Sequence, residues 1–340
     1  MKVLLIKLTS MGDLIHALPA ITDASQNISD ITFDWVIEKS FSEVAVWHPA
    51  VKKVIPTSHR KWKKSFFHSW KNGEIVQFLM DLRKTQYDVV IDGQTNIKSA
   101  FACLLAKGNK HGLDKNSARE WLAPFAYHHK YFISKEMHAI KRLRILFSKA
   151  LNYEFVDSKV DYGISRYSFP PLKMAFPKPY LVFVHNASWQ SKLWPVNHWR
   201  SLIQMAEAEG YHILLPWGND KERQIAEKIA NGFNKTVVLP FCTLSEQAEI
   251  LKQSAGAICS DTGLSHLAAA LNVPAITLYG STSTQLIGTT GQYQQHIISN
   301  FPCTKCYKHN CYYENKPHAD ALCLTNITPA SVWKHFQAVR

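Results

Sequence analysis

Residues suited to binding an anion occupy two turns, each joining a short apolar run to a helical pattern. One turn reads Asp-Thr-Gly-Leu-Ser-His over residues 261–266 and follows the apolar run at residues 255–259. Backbone N–H groups at the start of a helix attract anions, so this turn predicts a diphosphate site, with an ordinary helix cap as the alternative. The other turn, residues 189–195, contains Lys192. This lysine would neutralise phosphate charge or, in the simpler interpretation, only meet solvent.

A carboxylate suited to proton transfer follows the first apolar run of the chain. Residues 10–13 read Ser-Met-Gly-Asp and come directly after Val-Leu-Leu-Ile at residues 3–6. The end of a first strand is where α/β enzymes place functional groups, so Asp13 is a candidate general base that takes a proton from an attacking hydroxyl. An aspartate in the first turn of a helix also caps it, which is the structural alternative.

A cluster of four cations around one aromatic ring lies at residues 60–64, Arg-Lys-Trp-Lys-Lys, and further aromatic residues follow at 66–70. This composition suits nucleic-acid phosphates with base stacking, or a phosphorylated and carboxylated glycolipid at a membrane surface. A plain solvated loop is the third interpretation.

Four of the seven cysteines lie close together in the C-terminal part of the sequence, at Cys303, Cys306, Cys311 and Cys323. Four thiolates at this spacing can hold a structural zinc or iron ion, whereas reduced thiols and a disulfide are the alternatives. The other three cysteines, Cys103, Cys242 and Cys259, have apolar neighbours and are expected in the core.

Several function classes lack support in the 340 residues. The glycine patterns of dinucleotide and P-loop sites, the HExxH motif and a metal-binding Asp-x-Asp are all missing. No apolar run reaches about 18 residues and no secretory signal is evident, so a cytoplasmic protein is expected.

Positive charge is concentrated in the middle of the chain. Of the net charge of +13, residues 51–150 carry all the excess, with 20 Lys and Arg against 7 Asp and Glu. Such an imbalance indicates an anionic partner, with a solvated basic face as the alternative.

Short apolar runs alternate with helical patterns on both sides of a proline-rich passage, which predicts an α/β protein with two parallel sheets. We expect a domain at residues 1–168, a linker at 169–179 and a second domain at 180–328 that includes the cysteine-rich segment 303–323. A last helix at residues 329–340 is expected to pack back on the first domain. Ligands would bind where the carboxyl ends of the strands meet a cleft.

Seven segments together resemble the lipopolysaccharide heptosyltransferase I enzymes of glycosyltransferase family 9. They read MKVLLIKLTSMGDLIHALPAITDA, FDWVIE, RKWKK, KHGLDKNSARE, SKLWP, LLPWGND and SDTGLSHLAAAL. The resemblance covers residues 1 to about 290. It implies a GT-B fold of two Rossmann-like domains, an ADP-heptose donor and an acceptor Kdo on lipid A.

The resemblance also implies roles for individual residues. Asp13 would be the catalytic base, and Lys192 would hold the donor diphosphate with backbone groups of Thr262 and Gly263. The other implied donor-binding residues are Ser188, Trp217, Gly218, Glu222, Asp261, Leu264 and His266. The implied acceptor-binding residues are Lys7, Ser10, Arg60, Lys61, Lys63, Lys64, Arg119, His138 and Arg142.

The implied activity is inverting transfer of heptose to Kdo at the inner face of the cytoplasmic membrane, with no cofactor in the chemistry and no nucleic-acid partner. A later-acting core or protein heptosyltransferase, a nucleic-acid-binding protein and a non-catalytic sugar-nucleotide binder are the alternatives. Two features depart from the pattern. Residues 185–188 read His-Asn-Ala-Ser where many relatives have a Thr-Thr pair, and the four cysteines resemble a metal-binding finger of only some family members.

Overall fold

The computed structural model describes residues 1–172 and 174–339, apart from the side chains of Arg60, Lys63 and Phe66. The chain divides into two compact units, Met1–Tyr167 and Ser168–Arg340. Within the described residues, none of the helices combines the length and apolar character needed to span a bilayer.

The first unit is built on a parallel sheet of six strands in the order β3-β2-β1-β4-β5-β6. Its strands are β1 Lys2–Ile6, β2 Thr32–Glu38, β3 Val51–Thr57, β4 Gln86–Asp92, β5 Lys107–Leu113 and β6 His129–Tyr131. Its helices are α1 Met11–Ile15, α2 Leu18–Asn27, α3 Ser42–Val46, α4 His59–Lys64, α5 Phe66–Lys71, α6 Glu74–Arg83, α7 Ile97–Leu105 and α8 Ala139–Leu151, with 3-10 turns at Lys39–Phe41 and Ala123–Ala126.

The second unit repeats this plan with the strand order β12-β11-β10-β7-β8-β9, again all parallel. Its strands are β7 Tyr180–Val184, β8 His212–Leu215, β9 Thr236–Val238, β10 Gly256–Ser260, β11 Ala275–Tyr279 and β12 Gln294–Ile298. Its helices are α9 Val196–Ala208, α10 Asp220–Ala230, α11 Leu244–Gln253, α12 Gly263–Ala270, α13 Thr284–Ile287, α14 Leu322–Thr325 and α15 Pro329–Gln337, with a 3-10 turn at Gln190–Lys192. An antiparallel pair, β13 Tyr312–Tyr313 and β14 Lys316–Pro317, lies in the cysteine-rich segment.

The central strands of both sheets are almost completely buried, because helices cover both faces of a parallel sheet. This arrangement confirms the predicted α/β class with two Rossmann-like units. It also puts the carboxyl ends of the strands of each sheet along one edge, which is where the candidate site residues follow the strands.

Helix α15 contributes to the core of the second unit. Val332, Trp333 and Phe336 are buried there, and a Cβ added to Gly256 would lie 2.5 Å from the Phe336 ring. The indole N–H of Trp333 donates to a Glu209 carboxylate oxygen at 2.7 Å. Val332, Trp333 and Phe336 of α15 are thus part of the core of its own unit.

A buried histidine makes the stability of the first unit dependent on pH. His48 is 2% exposed; its Nδ1 accepts from the Ala50 N–H at 3.2 Å, and its Nε2 lies 3.0 Å from the Thr22 hydroxyl. These partners fit the neutral ring, and burial lowers the pKa of His48 from 6.5 to about 4, against a smaller upward effect of Asp161.

Acidification is therefore expected to destabilise the protein through His48. Between pH 6.5 and about 4 the unfolded chain binds the proton more tightly than the folded chain does, so the free energy of unfolding falls as pH falls. This difference in the pKa of His48 between the unfolded and the folded chain corresponds to about 3 kcal/mol in the free energy of unfolding. Denaturant titrations of wild type and His48→Gln across this range should show a smaller loss in the variant; an equal loss would contradict the assignment.

Candidate active site

Three loops of the second unit bring the predicted donor residues to one edge of the sheet. Strands β10, β7 and β8 are neighbours, and the loops that follow them hold six of these ten residues, while the other four lie in α10 and α12. Asp261 and Thr262 follow β10, Lys192 follows β7, and Trp217 follows β8. Adjacent parallel strands therefore unite residues that are up to about 75 positions apart in the sequence.

A buried ion pair lies at the centre of this edge. The Lys192 amine is 2.7 Å from the Asp261 carboxylate, and the side chains are 14% and 4% exposed. The Thr282 hydroxyl donates to the same carboxylate oxygen at 2.6 Å. The amine also lies 4.7 Å from the centre of the Trp189 ring. Asp261 and Trp189 thus hold the Lys192 amine in place.

Helix α12 begins beside this pair. Thr262 is its N-cap residue, in an extended conformation, and Gly263 is its first residue. The first N–H groups of an eight-residue helix have no partner within the helix, and the helix dipole favours negative charge at that end. Lys192 and the N-terminus of α12 can together stabilise a diphosphate. Leu264 and His266 lie on the same helix and are both buried.

The loop after β8 is organised by Glu222. Its carboxylate accepts from the Gly218 N–H at 2.8 Å and from the Asn186 amide at 2.7 Å. The Trp217 indole donates to the Leu239 carbonyl at 2.6 Å, and its ring centre lies 5.7 Å from that of the exposed Phe241. An aromatic surface beside a fixed carboxylate is an arrangement suited to a nucleoside.

Ser188, expected to contact the diphosphate, is exposed at the start of the loop that carries Lys192. The residue in the same stretch with a clear structural role is Asn186, which is buried and bonded to Glu222. Residues 185–188, which differ from the Thr-Thr pair of many relatives, therefore include Asn186, whose side chain orients Glu222.

The cysteine-rich segment 303–323 lies directly behind the donor loops. The Gln190 amide oxygen accepts from the Cys311 N–H at 2.8 Å, and its nitrogen donates to the carbonyls of His318 and Ala319. The Ser191 hydroxyl donates to the Lys308 carbonyl at 2.6 Å. A Cβ on Gly280 would lie 2.5 Å from the Cys323 sulfur. The segment therefore supports both the Lys192 loop and the strand end before Thr282.

All seven cysteines are free thiols. Cys311 and Cys323 are buried, and burial, with a smaller contribution from the three neighbouring thiols, raises the pKa of Cys323 to about 11. Across residues 1–172 and 174–339, no three His, Cys, Asp or Glu side chains are gathered as a metal ion would require. The zinc or iron ion expected at Cys303, Cys306, Cys311 and Cys323 and the alternative of reduced thiols both stay predictions.

The predicted general base lies at the carboxyl edge of the first sheet. Asp13 is in the first turn of α1, where one carboxylate oxygen accepts from the Ser10 N–H at 2.9 Å and from the Ser10 hydroxyl at 3.0 Å. Asp13 is half-buried. These contacts confirm the capping interpretation and fix the direction of the carboxylate, while the role as general base stays a prediction.

The charge of Lys7 interacts with this carboxylate. Lys7 is 7% exposed, and its amine donates to the Gly93 carbonyl at 3.0 Å. Burial lowers the pKa of Lys7, Asp13 and Asp92 act in the opposite direction, and Arg119 and Arg142 lower it further. Five charged groups therefore interact at one point of the sheet edge, three of them cations predicted to meet the acceptor.

Arg142 of this cluster and the predicted acceptor residue His138 are each held by further contacts. Arg142 donates to the Ser117 carbonyl at 2.7 Å, and burial lowers its pKa. His138 is the N-cap of α8, and its ring lies 5.7 Å from that of His16, three residues beyond Asp13. The sequence-predicted residues Lys7, Ser10, Asp13, Arg119, His138 and Arg142 are thus assembled in one region of the first unit.

The basic cluster forms helix α4. Lys61 pairs with Glu74 at the start of α6, and this hydrogen bond is the main cause that lowers the pKa of Glu74. Lys64 is exposed. The side chains of Arg60 and Lys63, both predicted to bind the acceptor, lie outside the described part of the structure.

Comparison with known proteins agrees with this geometry. The family model of glycosyltransferase family 9 (heptosyltransferase) matches residues 75–316. The chain is 40% identical over 350 residues to lipopolysaccharide heptosyltransferase 1 of Pseudomonas aeruginosa, covering 100% of this chain and 98% of that protein.

Solved structures with the same fold include E. coli heptosyltransferase WaaC with ADP, at 38% identity and a TM-score of 0.87, covering 100% of both chains. The same enzyme with ADP-2-deoxy-2-fluoro heptose matches at 37% identity and a TM-score of 0.83, covering 99% of both chains. The resemblance found in the sequence is confirmed, and the chain belongs to glycosyltransferase family 9, whose GT-B fold it shares.

Proposed function

We propose that this enzyme transfers L-glycero-D-manno-heptose from ADP-heptose to a Kdo residue of lipid A, with inversion at the anomeric carbon. The observation that carries the proposal is the pair of Lys192 and Asp261 at the N-terminus of α12, in a chain 38% identical over its whole length to an enzyme described with ADP. The basic residues around Asp13 suit an acceptor that bears carboxylates and phosphates.

The proposed chemistry follows from the two groups of residues. Asp13 takes the proton of the attacking Kdo hydroxyl, the hydroxyl oxygen forms the new bond to the anomeric carbon, and the bond from that carbon to the ADP oxygen breaks. Lys192 and the N-terminal N–H groups of α12 stabilise the negative charge that develops on the leaving diphosphate. Trp217 and Glu222 bind the adenosine part, and Asp261 meets the heptose hydroxyls.

The acceptor is lipid-anchored in this proposal, so we place the enzyme at the inner face of the cytoplasmic membrane. The experiment that tests the function measures transfer from ADP-heptose to two lipid A acceptors, one with two Kdo residues and one with a single phosphorylated Kdo. Transfer to either acceptor supports the proposal and identifies the acceptor subtype. Donor binding without transfer to either would instead favour a later core sugar or a protein serine as acceptor.

The contacts of Gln190 predict that this residue positions Lys192. Gln190→Ala removes the hydrogen bonds that tie the Lys192 turn to Cys311, His318 and Ala319. We expect an increase in the KM for ADP-heptose of about threefold to tenfold, with a smaller change in kcat, because each bond contributes modestly. Steady-state kinetics of Gln190→Ala should be compared with Gln253→Ala, whose side chain donates to Glu249 on its own helix. An unchanged KM would contradict the positioning role.

A further inference from the structure

Helix α7 exposes an apolar face that no part of the proposed chemistry uses. Ile97, Phe101 and Leu104 recur at spacings of four and three residues, so they lie on one side of the helix. They are between 51% and 58% exposed, whereas the opposite side of the helix is buried in the sheet. Three large apolar side chains on one outward face form a continuous strip.

The 3-10 turn Ala123–Ala126 packs beside α7 and extends this strip. Trp121, Leu122 and Phe125 are 69%, 43% and 74% exposed. The Glu120 carboxylate accepts from the Ile97 N–H at 2.9 Å, which fixes the neighbouring Trp121 at the start of α7. We call these six residues, Ile97, Phe101, Leu104, Trp121, Leu122 and Phe125, the α7 surface. Contiguous exposed apolar area of this kind marks an interaction site.

Cations border the α7 surface on the side of the acceptor residues. Burial is the main cause that lowers the pKa of His59, and the charge of Lys98 lowers it further. Because Lys98 is in the first turn of α7 and His59 is in α4, the start of α7 lies near α4, which also contains Lys61 and Lys64. Arg119, two residues before Trp121, interacts with Lys7 beside Asp13. The α7 surface is therefore next to the residues proposed to bind a lipid-anchored sugar.

We propose that the α7 surface inserts into the interfacial region of an anionic phospholipid bilayer, an inference that rests on the proposed lipid A acceptor. Aromatic and aliphatic side chains beside lysines and arginines are the combination that binds the headgroup boundary of such a bilayer. Binding there would hold the first unit against the membrane with its acceptor residues at the lipid headgroups. A second copy of the chain is disfavoured as the occupant, because both copies would present the basic excess of residues 51–150.

Vesicle sedimentation tests this surface without any acceptor. The full-length enzyme is mixed with vesicles of phosphatidylglycerol and phosphatidylcholine, or of phosphatidylcholine alone. We expect binding to the anionic vesicles, weakened by salt, and a loss of about tenfold or more in Trp121→Ser/Phe125→Ser. Val156→Ser is the matched control, because Val156 is 64% exposed on the same unit but adjoins Glu154 and Asp157.

Equal vesicle binding by the double variant and the wild type would overturn the proposal. The proposal would also be overturned if both proteins bound vesicles equally while the wild type was a dimer and the double variant a monomer. The α7 surface would then be an interface between two copies of the chain. Circular dichroism and thermal unfolding verify that the first unit of the variant is folded. If it is not, Phe101→Ser/Leu104→Ser tests the helix side of the same surface.

Transfer assays separate this proposal from the proposed function. The double variant should keep the wild-type kcat/KM on a deacylated, water-soluble Kdo acceptor and lose about tenfold on the acceptor embedded in anionic vesicles. A wild-type enzyme that transfers to neither acceptor would refute the function, while the vesicle sedimentation still decides the α7 surface. Equal losses on both acceptors would overturn the membrane role of the α7 surface.

Discussion

Asp13→Ala is expected to abolish heptose transfer while ADP binding stays close to that of the wild type. Asp13 lies in the first unit, and every residue proposed to bind ADP lies in the second. General-base catalysis accounts for about 10²- to 10⁴-fold in rate, so kcat should fall by that factor. Single-turnover transfer measures the chemical step, and calorimetric titration with ADP measures the donor side.

The capping role of Asp13 requires a second variant. Asp13→Asn retains an oxygen that can accept the hydrogen bonds of Ser10 but cannot serve as a base near neutral pH. We expect both variants to lose turnover and only Asp13→Ala to lose the cap. Activity above a few per cent of wild type in Asp13→Asn, at about the wild-type pH dependence, would remove Asp13 from the base role.

Lys192→Ala is expected to weaken both donor binding and turnover. The amine supplies positive charge where the leaving diphosphate becomes more negative, and removal of one such group costs about 10²- to 10³-fold in kcat. The KM for ADP-heptose should rise as well, since the ground-state diphosphate is also bound. Kinetics indistinguishable from wild type would contradict the role of Lys192 in holding the diphosphate.

The same substitution leaves Asp261, which is 4% exposed, without its cation. Breaking a buried pair from one side costs about 3–5 kcal/mol of stability, so the melting temperature of Lys192→Ala should fall. The variant Lys192→Met/Asp261→Asn removes both charges and should recover stability without recovering turnover. If the double variant regained activity, the loss in Lys192→Ala would be a consequence of misfolding.

Strands with dense apolar runs could be predicted from the sequence, and weakly apolar ones could not. Strands β8 and β11 can be read from the sequence, because three or four apolar residues between helical patterns favour a buried strand. Strand β3, which contains Pro56, and strand β5, which reads Lys-Gly-Asn-Lys-His-Gly-Leu, have no such dense apolar run. Their pairing is set by neighbouring strands rather than by their own residues.

Site residues were predictable where they sit in a recognisable turn. The pattern at residues 261–263 and the lysine at 192 stand out, but nothing in Ser-Thr-Ser-Thr at 281–284 selects Thr282. Its contact with Asp261 arises because β10 and β11 are adjacent in the sheet. The α7 surface cannot be read from the sequence for a similar reason: Ile-Lys-Ser-Ala-Phe-Ala-Cys-Leu-Leu has large apolar residues at more positions than one helix face, and only the fold shows which of them are exposed.

The position of the cysteine-rich segment behind two donor loops has a thermodynamic consequence. Gln190 and Ser191 join one loop to the segment, and Cys323 packs against the strand end before the other. If ADP-heptose orders these loops, it also changes how readily the segment opens to a thiol reagent. Because linkage is reciprocal, the factor by which ADP-heptose alters the opening equilibrium of the segment equals the factor by which opening alters the affinity for ADP-heptose. The ratio of the cysteine alkylation rates with and without ADP-heptose therefore measures the strength of this coupling. It does so at the cysteine-rich segment rather than at the donor site.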